Sequence, residues 1–534
     1  RDGIEVLMRQ NLVAVDVGTA SARAGIFDPA GRLLARSTHP ILMQRPQENH
    51  AEHDSTDIWN AVCIAVRAAL AEAAVPRESI AAIGFDATCS LVVRDREGKP
   101  LSVNRKGEAR WDTIVWLDHR ALAEADFCTA TGHPVLDFSG RVMSPEMEMP
   151  KLMWLKRNLP QQWQKAGFFF DLADYLSWRA TGSAARSRCT LTAKWNYLAH
   201  EKRGWQPDYL AKIGLEDLIE RGGLPEETLP IGSSVGHLSA AAAAELGLDE
   251  ACQVAPGMID AYAGALGVVG GFIGKPEKLE RQLALIAGTS SCIVAFSKDM
   301  KPGFGMWGPY YEAVLPGAWL IEGGQSATGA LLDHIVRLHG GGLEPTAETH
   351  GRIIARVQEL RAEQGMTFAE RLHVLPDFHG NRSPLADPHG LGVISGLPLD
   401  SSFDALCRLY WRTCVAIALG IRHILEMMRE VGYQLDTLHV TGGHVRNALL
   451  MELYCDVTGC RVVAPEAPDA VLLGTAMAAA VAGGMHADLA AAGAEMASGG
   501  HERLPNTAVR DAYDRDYRRF LALYRHRDEL DKMA

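Results

Sequence analysis

The chain has 534 residues, 47% hydrophobic and 22% charged, which is enough for two or more domains and excludes a disordered polymer or a disulfide-stapled miniprotein. Its formal net charge is -12, from 53 Lys plus Arg against 65 Asp plus Glu without long runs of either sign, so neither nucleic acid nor an anionic membrane is expected as partner. The ten cysteines contain no CxxC pair and read as reduced, buried thiols of a cytoplasmic protein, not as zinc ligands or a disulfide framework.

Met8 reads as the native start, with the seven residues before it an expression addition, and no secretory signal is recognised. Leu12-Val-Ala-Val-Asp-Val is a β-rich run that breaks at Gly18-Thr19-Ala20-Ser21 and resumes as Arg23 to Phe27. Asp28-Pro-Ala-Gly31 makes a turn into a further strand from Arg32, and Ser79 to Asp86 reads as a strand. Pro150 to Lys156 starts a helix. Ala261 to Gly274 is uncharged but shorter than the roughly 20 residues of a membrane span, so it reads as a core helix, as does Ala470 to Met485.

The opening pattern recurs in the second half as Leu283 to Ala287, then Gly288-Thr289-Ser290-Ser291, then Cys292 to Phe296. Two strand-turn-strand copies of this kind predict duplicated domains with facing turns. Ser401 to Glu430 places Leu406, Tyr410, Thr413, Ile417, Ile421, Ile424 and Met428 at three- or four-residue steps, one face of a long helix. Thr437 to Val440 reads as a strand, and Gly442-Gly443 turns the chain into a helix through Leu449 to Cys455. The class is α/β. The boundary is placed between Leu266 and Lys278, giving domains 8–270 and 271–485 and a helical extension 486–534.

Asp16-x-Gly18-Thr19-x-Ser21 concentrates what a polyphosphate needs: glycine backbone N–H groups, hydroxyl donors, and a carboxylate able to hold magnesium through water. An ordinary hairpin is the better account of one such turn alone, but a second at Gly288 to Ser291 favours a two-sided phosphate clamp. Gly442-Gly443, with Asn447 one turn on, suits either a ligand base and ribose or a tight left-handed turn. Gly323-Gly-Gln-Ser-Ala-Thr-Gly329 suits either a ligand surface or close-packed helix entry. Asp260 heads a small-residue helix, as an N-cap does and as a shielded general base also can. Gly303-Phe-Gly305-Met-Trp-Gly308 fits GxGxxG but lacks the flanking strand and helix, and no P-loop, HExxH motif or nucleophile elbow is read.

Together, the paired Gly-Thr turns, the late Gly-Gly and the Gly257 to Gly267 segment resemble the FGGY carbohydrate kinases, from about Leu12 to about Gly484. The resemblance implies two duplicated actin/hexokinase-like (ribonuclease H-like) domains with an active-site cleft between them, and ATP and Mg2+ as cofactors. Within the family, His373-Val-Leu-Pro-Asp-Phe-His-Gly-Asn-Arg-Ser-Pro384 and Trp116-Leu-Asp-His-Arg120 look like the pentulose kinase branch, and Thr88-Cys-Ser-Leu-Val92 is similar to a stretch that marks D-ribulokinases. Carried over by position, Asp16 organises magnesium, and Thr19, Ala20, Ser21, Arg23, Gly288 and Thr289 meet the phosphates. Gly324, Thr328, Gly442, Gly443 and Asn447 surround the nucleoside, with Thr328 standing where the family has a nucleotide-contacting Gln. Asp260 is the catalytic base, and Thr88, Cys89, Ser90, Asp118, Arg120, Lys194 and Glu322 line the sugar pocket. Cys89-Ser90 replaces the Arg-Glu pair of glycerol kinases. The implied reaction phosphorylates the terminal hydroxyl of a keto-pentose, D-ribulose first, with L-ribulose, D-xylulose or ribitol as alternatives. A silent nucleotide-sugar sensor or an actin-like ATPase is the alternative of another class. The implied partners are the sugar and ATP, with no nucleic acid or membrane and with a homodimer as candidate assembly.

Overall fold

The computed structural model describes residues 9–533, so the Met8 start lies outside the described residues. Two compact units divide the chain. The first runs to Leu279 and takes in Phe296–Ile321 and Ala467–Gly499, and the second comprises Glu280–Ala295, Glu322–Glu466 and Gly500 onward.

The first unit opens with β1 (Asn11–Val17), β2 (Ser21–Phe27), β3 (Leu33–Pro40), α1 (Ser55–Ala73) and β4 (Ile80–Ala87). Leu12 to Val17 are all buried, as a strand covered on both faces requires. β1 pairs antiparallel with β2 and parallel with β4, and the sheet continues through Gln253–Val254 to Gly236–His237 on one side and to β3 on the other. Asp54 caps α1 by accepting from the Asp57 N–H at 3.0 Å, and Ile58, Val62, Ala65 and Val66 form the helix face that is buried in the core of this unit.

A smaller five-stranded sheet follows, containing β5 (Leu91–Asp95) and later β6 (Ala166–Asp171), with α2 (Glu148–Asn158) between them in sequence. α3 (Arg188–Lys194), β7 (Met258–Ile259) and α4 (Asp260–Val269) complete this stretch, β7 lying parallel beside β4.

The second unit repeats the opening plan. β8 (Gln282–Ala287), β9 (Ser291–Ser297) and β10 (Trp319–Gln325) are followed by α5 (Gly329–His339) and α6 (Phe403–Glu430), then β11 (Thr437–Thr441), α7 (Ala448–Thr458) and β12 (Arg461–Pro465). The strand order β10-β9-β8-β11-β12 matches β3-β2-β1-β4 and its neighbour in the first unit, with β8 antiparallel to β9 and parallel to β11. The expected duplication is therefore present at the level of topology. α6 buries the predicted stripe, including Leu406, Tyr410, Ile417, Ile421 and Met428.

α8 (Ala470–Ala482) belongs to the first unit, and α9 (Arg510–Asp531) to the second. α8 is apolar all round, and it packs on β1, β4 and α4. A methyl group on Gly267 of α4 would lie 1.9 Å from Ala470 O, and one on Gly474 of α8 would lie 1.8 Å from Ala263 O. The two helix backbones touch, which only glycine at these positions permits. Among the described residues no helix is long and apolar enough to cross a membrane.

Candidate active site

In the first unit the β1–β2 turn is closed by Gly18 N–H donating to Ser21 O at 3.0 Å, and Thr19, Ala20 and Ser21 are at least partly exposed. Thr19 is held on two sides. Its carbonyl oxygen accepts from His53 Nε2 at 2.9 Å, and its hydroxyl accepts from Trp116 Nε1 at 2.9 Å. Burial lowers the His53 pKa to about 4, so the ring is neutral near pH 7 and carries its proton on Nε2. Neither His53 nor Trp116 was singled out for this turn from sequence, because only the fold brings them to it.

Strand register explains the carboxylates. Asp16 sits opposite Arg23 in β2 and beside Asp86 in β4. Arg23 Nε donates to Asp16 Oδ2 at 3.0 Å, and its guanidinium also pairs with Asp469. Arg23 is thus committed to two carboxylates, a correction to its expected place on a phosphate. Asp86 is fully buried, accepts from Thr475 Oγ1 at 2.5 Å, and its Oδ1 accepts no hydrogen bond from the described residues. Burial, then the Asp16 charge, with Asp260 also contributing, holds the Asp86 carboxyl well above the usual range. No three His, Cys, Asp or Glu side chains among the described residues make a ready metal cage. Asp16 with an underused Asp86 oxygen alongside fits magnesium, which typically takes one or two carboxylates and completes its shell with water and phosphate.

Asp260 is the first residue of α4. Ile259 is the N-cap, so the capping role weighed from sequence is not the one adopted. The Asp260 carboxylate accepts from Ala261 N–H at 2.7 Å and remains part-exposed. Nearby, Lys194 at the end of α3 is buried, with Nζ 4.4 Å from the Trp307 ring centre and 5.9 Å from that of Tyr262 on α4. In the Thr88–Ser90 loop, Thr88 N–H donates to Val17 O at 3.1 Å, and the Ser90 hydroxyl accepts from Trp116 N–H at 3.1 Å. Trp116 therefore touches both this loop and the Thr19 turn. Burial pushes the Cys89 thiol above its ordinary range, so it is a neutral, unreactive wall.

Asp118 and Arg120 depart from expectation. Both side chains are fully buried, and they bond each other at 2.8 to 3.0 Å. Arg120 also reaches Glu52 at 2.9 Å and Val103 O at 2.7 Å, while Asp118 accepts from Ala51 N–H at 2.7 Å. They brace the loop that carries Trp116, and their charges are spent on each other and on Glu52, which replaces their expected place in the sugar pocket. A neighbouring buried group, Glu148, has both carboxylate oxygens without a hydrogen-bond donor among the described residues. Burial raises its pKa to about 8 despite the opposing Lys151 and Lys194 charges.

In the second unit, Gly288 N–H donates to Ser290 O at 2.9 Å in the β8–β9 turn. The turn rests on the start of α5: Thr328, Gly329 and Ala330 N–H groups donate to Thr289 O, Gly288 O and Thr289 O at 3.0 to 3.1 Å. The Thr328 hydroxyl bonds Gly288 O at 3.1 Å and Ser291 Oγ at 3.0 Å, and Thr328 is fully buried. It supports the turn from beneath, which replaces its expected place at the nucleoside. His444 adds a bond from Nε2 to Gly288 O at 2.8 Å, and burial keeps its pKa at about 4.

Two further expectations change. Gly324 lies inside β10, where a Cβ would meet Ser291 O at 2.3 Å, so close packing against β9 decides that glycine. Asn447 is the N-cap of α7, its Oδ1 accepting from Leu449 and Leu450 N–H at 3.1 and 3.2 Å. Gly442 and Gly443 are exposed, and Gly442 adopts φ +93 with a Cβ position 2.4 Å from Ala287 O. Glu322, in β10, is buried and accepts from Arg382 Nη2 at 2.8 Å. The pattern Gly-x-Ser-x-Gly does occur at Gly232 to Gly236, but Ser234 Oγ donates to Gln253 Oε1 at 2.7 Å beside a two-residue strand, so it forms no nucleophile elbow.

A duplicated α/β plan with a Gly-Thr turn in each copy and a carboxylate at a helix start defines the class: a two-domain phosphotransferase. Family models agree, matching residues 11–267 as the N-terminal domain and residues 283–483 as the C-terminal domain of the FGGY family of carbohydrate kinases. The chain belongs to that family and is a carbohydrate kinase. It is 44% identical to an FGGY carbohydrate kinase domain-containing protein of Danio rerio, over 97% of this chain and 98% of the relative. It is 36% identical to a D-ribulokinase of Saccharomyces cerevisiae, over 88% of this chain and 71% of the relative. A xylulose kinase from Rhodospirillum rubrum shares the fold with a TM-score of 0.81 at 22% identity, covering 98% of this chain and 99% of the other.

Proposed function

We propose that the chain is an ATP-dependent, magnesium-requiring kinase that transfers the γ-phosphoryl group to the terminal hydroxyl of a keto-pentose, D-ribulose before others. The observation that carries this reading is the convergence on one end of α4. There Asp260 is part-exposed, Lys194 lies close to Tyr262, and β4, which pairs with β7 ahead of Asp260, runs into the Thr88–Ser90 loop. A sugar hydroxyl is a weak nucleophile near pH 7, and Asp260 accepts its proton as the new P–O bond forms. Lys194 and the Thr88–Ser90 loop orient the sugar, with Glu322 as a further contact. The backbone N–H groups of the two turns other than those of Gly18 and Gly288, which close them, bind the phosphates with the Thr19 and Thr289 hydroxyls and stabilise charge on the transferring group. Magnesium, when held by Asp16 with Asp86 alongside, supplies further neutralisation of the phosphates. Asp118 and Arg120 act through Trp116, whose indole fixes the Thr19 hydroxyl.

D-Ribulose is favoured by the Thr88-Cys-Ser-Leu-Val92 run and by the likeness to the yeast D-ribulokinase. The absence of an Arg-Glu pair at Cys89-Ser90 removes the polar anchors of a glycerol site. Sites built to hydrogen-bond a hydroxyl reject analogues lacking it by roughly 10⁴ to 10⁵. The test is kcat/KM for D-ribulose, L-ribulose, D-xylulose, ribitol and glycerol, read as sugar-dependent ADP release. D-Ribulose leads and glycerol is poorest. A tenfold advantage for another pentulose overturns the substrate assignment, and no ADP release above the sugar-free control overturns the kinase reading.

A further inference from the structure

The run His373 to Pro384 has no role in the chemistry above, yet its turn grips β10 at two points. Arg382 Nη2 donates to Glu322 Oε1 at 2.8 Å, the two side chains being 15% and 3% exposed. Two residues along the strand, Gly324 N–H donates to Ser383 Oγ at 3.3 Å. The Cys292 thiol also lies 3.4 Å from Glu322 Oε1. An ion pair this well shielded is costly to break, because a carboxylate out of water that loses its cation is left as an uncompensated buried charge.

The turn itself is held by polar pins. Beneath it lies a narrow crevice lined by Gln325, Pro376, Gly420, His423 and Tyr524 among others. Asp377, at the base of the turn, accepts from Asn381 Nδ2 at 3.1 Å, from the Tyr524 hydroxyl at 3.0 Å and from Arg527 Nη1 at 2.8 Å. Asn381 Nδ2 donates as well to the Tyr524 oxygen at 3.0 Å, and Arg527 Nη1 to Leu391 O at 2.7 Å. Tyr524 and Arg527 are both on α9, which follows the matched family domains in sequence. These bonds form one connected path: α9 holds Asp377 and Asn381, these set the turn, and Arg382 at its tip sets Glu322.

We propose that α9 positions the sugar-contacting carboxylate: Tyr524 and Arg527 pin the Asp377–Ser383 turn, and Arg382 is the positioning residue that orients Glu322 for a pentulose hydroxyl. This rests on the assignment of Glu322 to the sugar. Loss of a pin loosens Glu322 while the Gly288–Thr289 turn keeps its own supports on Thr328, Gly329, Ala330 and His444, so the effect falls on the KM for sugar more than on the KM for ATP.

The experiment compares Glu322→Gln, Arg382→Gln, Tyr524→Phe, Arg527→Gln and Arg527→Lys in the full chain. It measures both KM values and kcat for the pentulose that the substrate panel ranks first, with thermal melts to confirm folding. Arg382→Gln and Arg527→Gln raise the sugar KM about tenfold or more while the ATP KM stays within about twofold, and Arg527→Lys recovers part of the loss. In the Arg527→Gln/Glu322→Gln double variant the two effects fall short of additive, as residues on one path do. Folded Arg382 and Arg527 variants with an unchanged sugar KM, beside a raised KM in Glu322→Gln, overturn the positioning role alone. An unchanged sugar KM in Glu322→Gln overturns the assignment of Glu322 to the sugar, and the inference with it. Equal rises in both KM values, or a fall in kcat with neither KM changed, also overturn it. If Arg527→Gln does not fold, Tyr524→Phe, which removes one hydroxyl and keeps the ring, decides by the same criteria.

Discussion

Replacing Asp260 by Asn separates chemistry from scaffold because the two effects differ in size and kind. Asn keeps an oxygen able to accept the Ala261 N–H bond, which the carboxylate accepts at 2.7 Å, and Ile259 is the N-cap, so no helix cap is lost. The expected stability change is therefore within about 1 kcal/mol, the size of a cap contribution. The amide cannot take the sugar proton, and loss of a general base lowers kcat by about 10² to 10⁴. At 1.36 kcal/mol per tenfold this corresponds to about 3 to 5 kcal/mol of barrier, well beyond the stability term. The assay is sugar-dependent ADP release at saturating ATP and sugar, with nucleotide binding measured separately and a thermal melt alongside. Expected are a melt close to the parent, unchanged nucleotide binding, and a kcat down by two to four orders of magnitude. A folded Asn variant with near-normal kcat refutes the base assignment and the transfer mechanism built on it.

Asp16→Ala raises the magnesium requirement for ATP turnover while sugar binding measured without nucleotide persists, and Thr289→Val impairs ATP turnover although it lies in the other copy of the hairpin. ATP turnover unaffected by either change refutes the paired-turn reading. Trp116→Phe frees the Thr19 hydroxyl from the indole N–H and is expected to raise the ATP KM several-fold, a result checked by initial rates across ATP concentrations. Glu148 gives a pH test. Its folded pKa of about 8 stands above the ordinary 4.5, so its stabilising share is full below 4.5 and is lost as pH rises towards 8. Glu148→Gln, which mimics the protonated side chain, should match the parent near pH 4.5 and gain on it by about 1.4 kcal/mol per pH unit up to about pH 8, levelling off beyond, read from denaturant melts. Parallel curves for the two proteins refute a buried, proton-holding Glu148.

The parts of this molecule legible in the sequence are those fixed by short-range physics. Leu12 to Val17 alternates no polar face because both faces are covered, and Gly18-Thr19 breaks it sharply, so the hairpin and its second copy can be read directly. The stripe of α6 is likewise a local pattern. Side-chain destinations are not local. Thr328 and Asn447 carry the right chemistry for a nucleotide contact, yet one hydroxyl is taken by Gly288 O and one amide oxygen caps α7. Asp118 and Arg120 form a buried pair that no spacing rule announces. Asp86 was hidden for a related reason: a strand ending in Asp is unremarkable until parallel pairing sets it next to Asp16.

Register also shows where the two copies diverged. The row that reads Asp16 beside Asp86 in the first sheet reads Ile286 beside Thr441 in the second. A duplicated backbone therefore presents a Gly-Thr turn twice, the second one residue shorter than the first, but only one copy has carboxylates behind it. A polyphosphate needs amide and hydroxyl donors from every side, whereas a single magnesium ion needs hard anionic oxygens on one. In the proposed transfer this asymmetry suits a single magnesium ion, since a second row of buried carboxylates would add desolvation cost and repel phosphate.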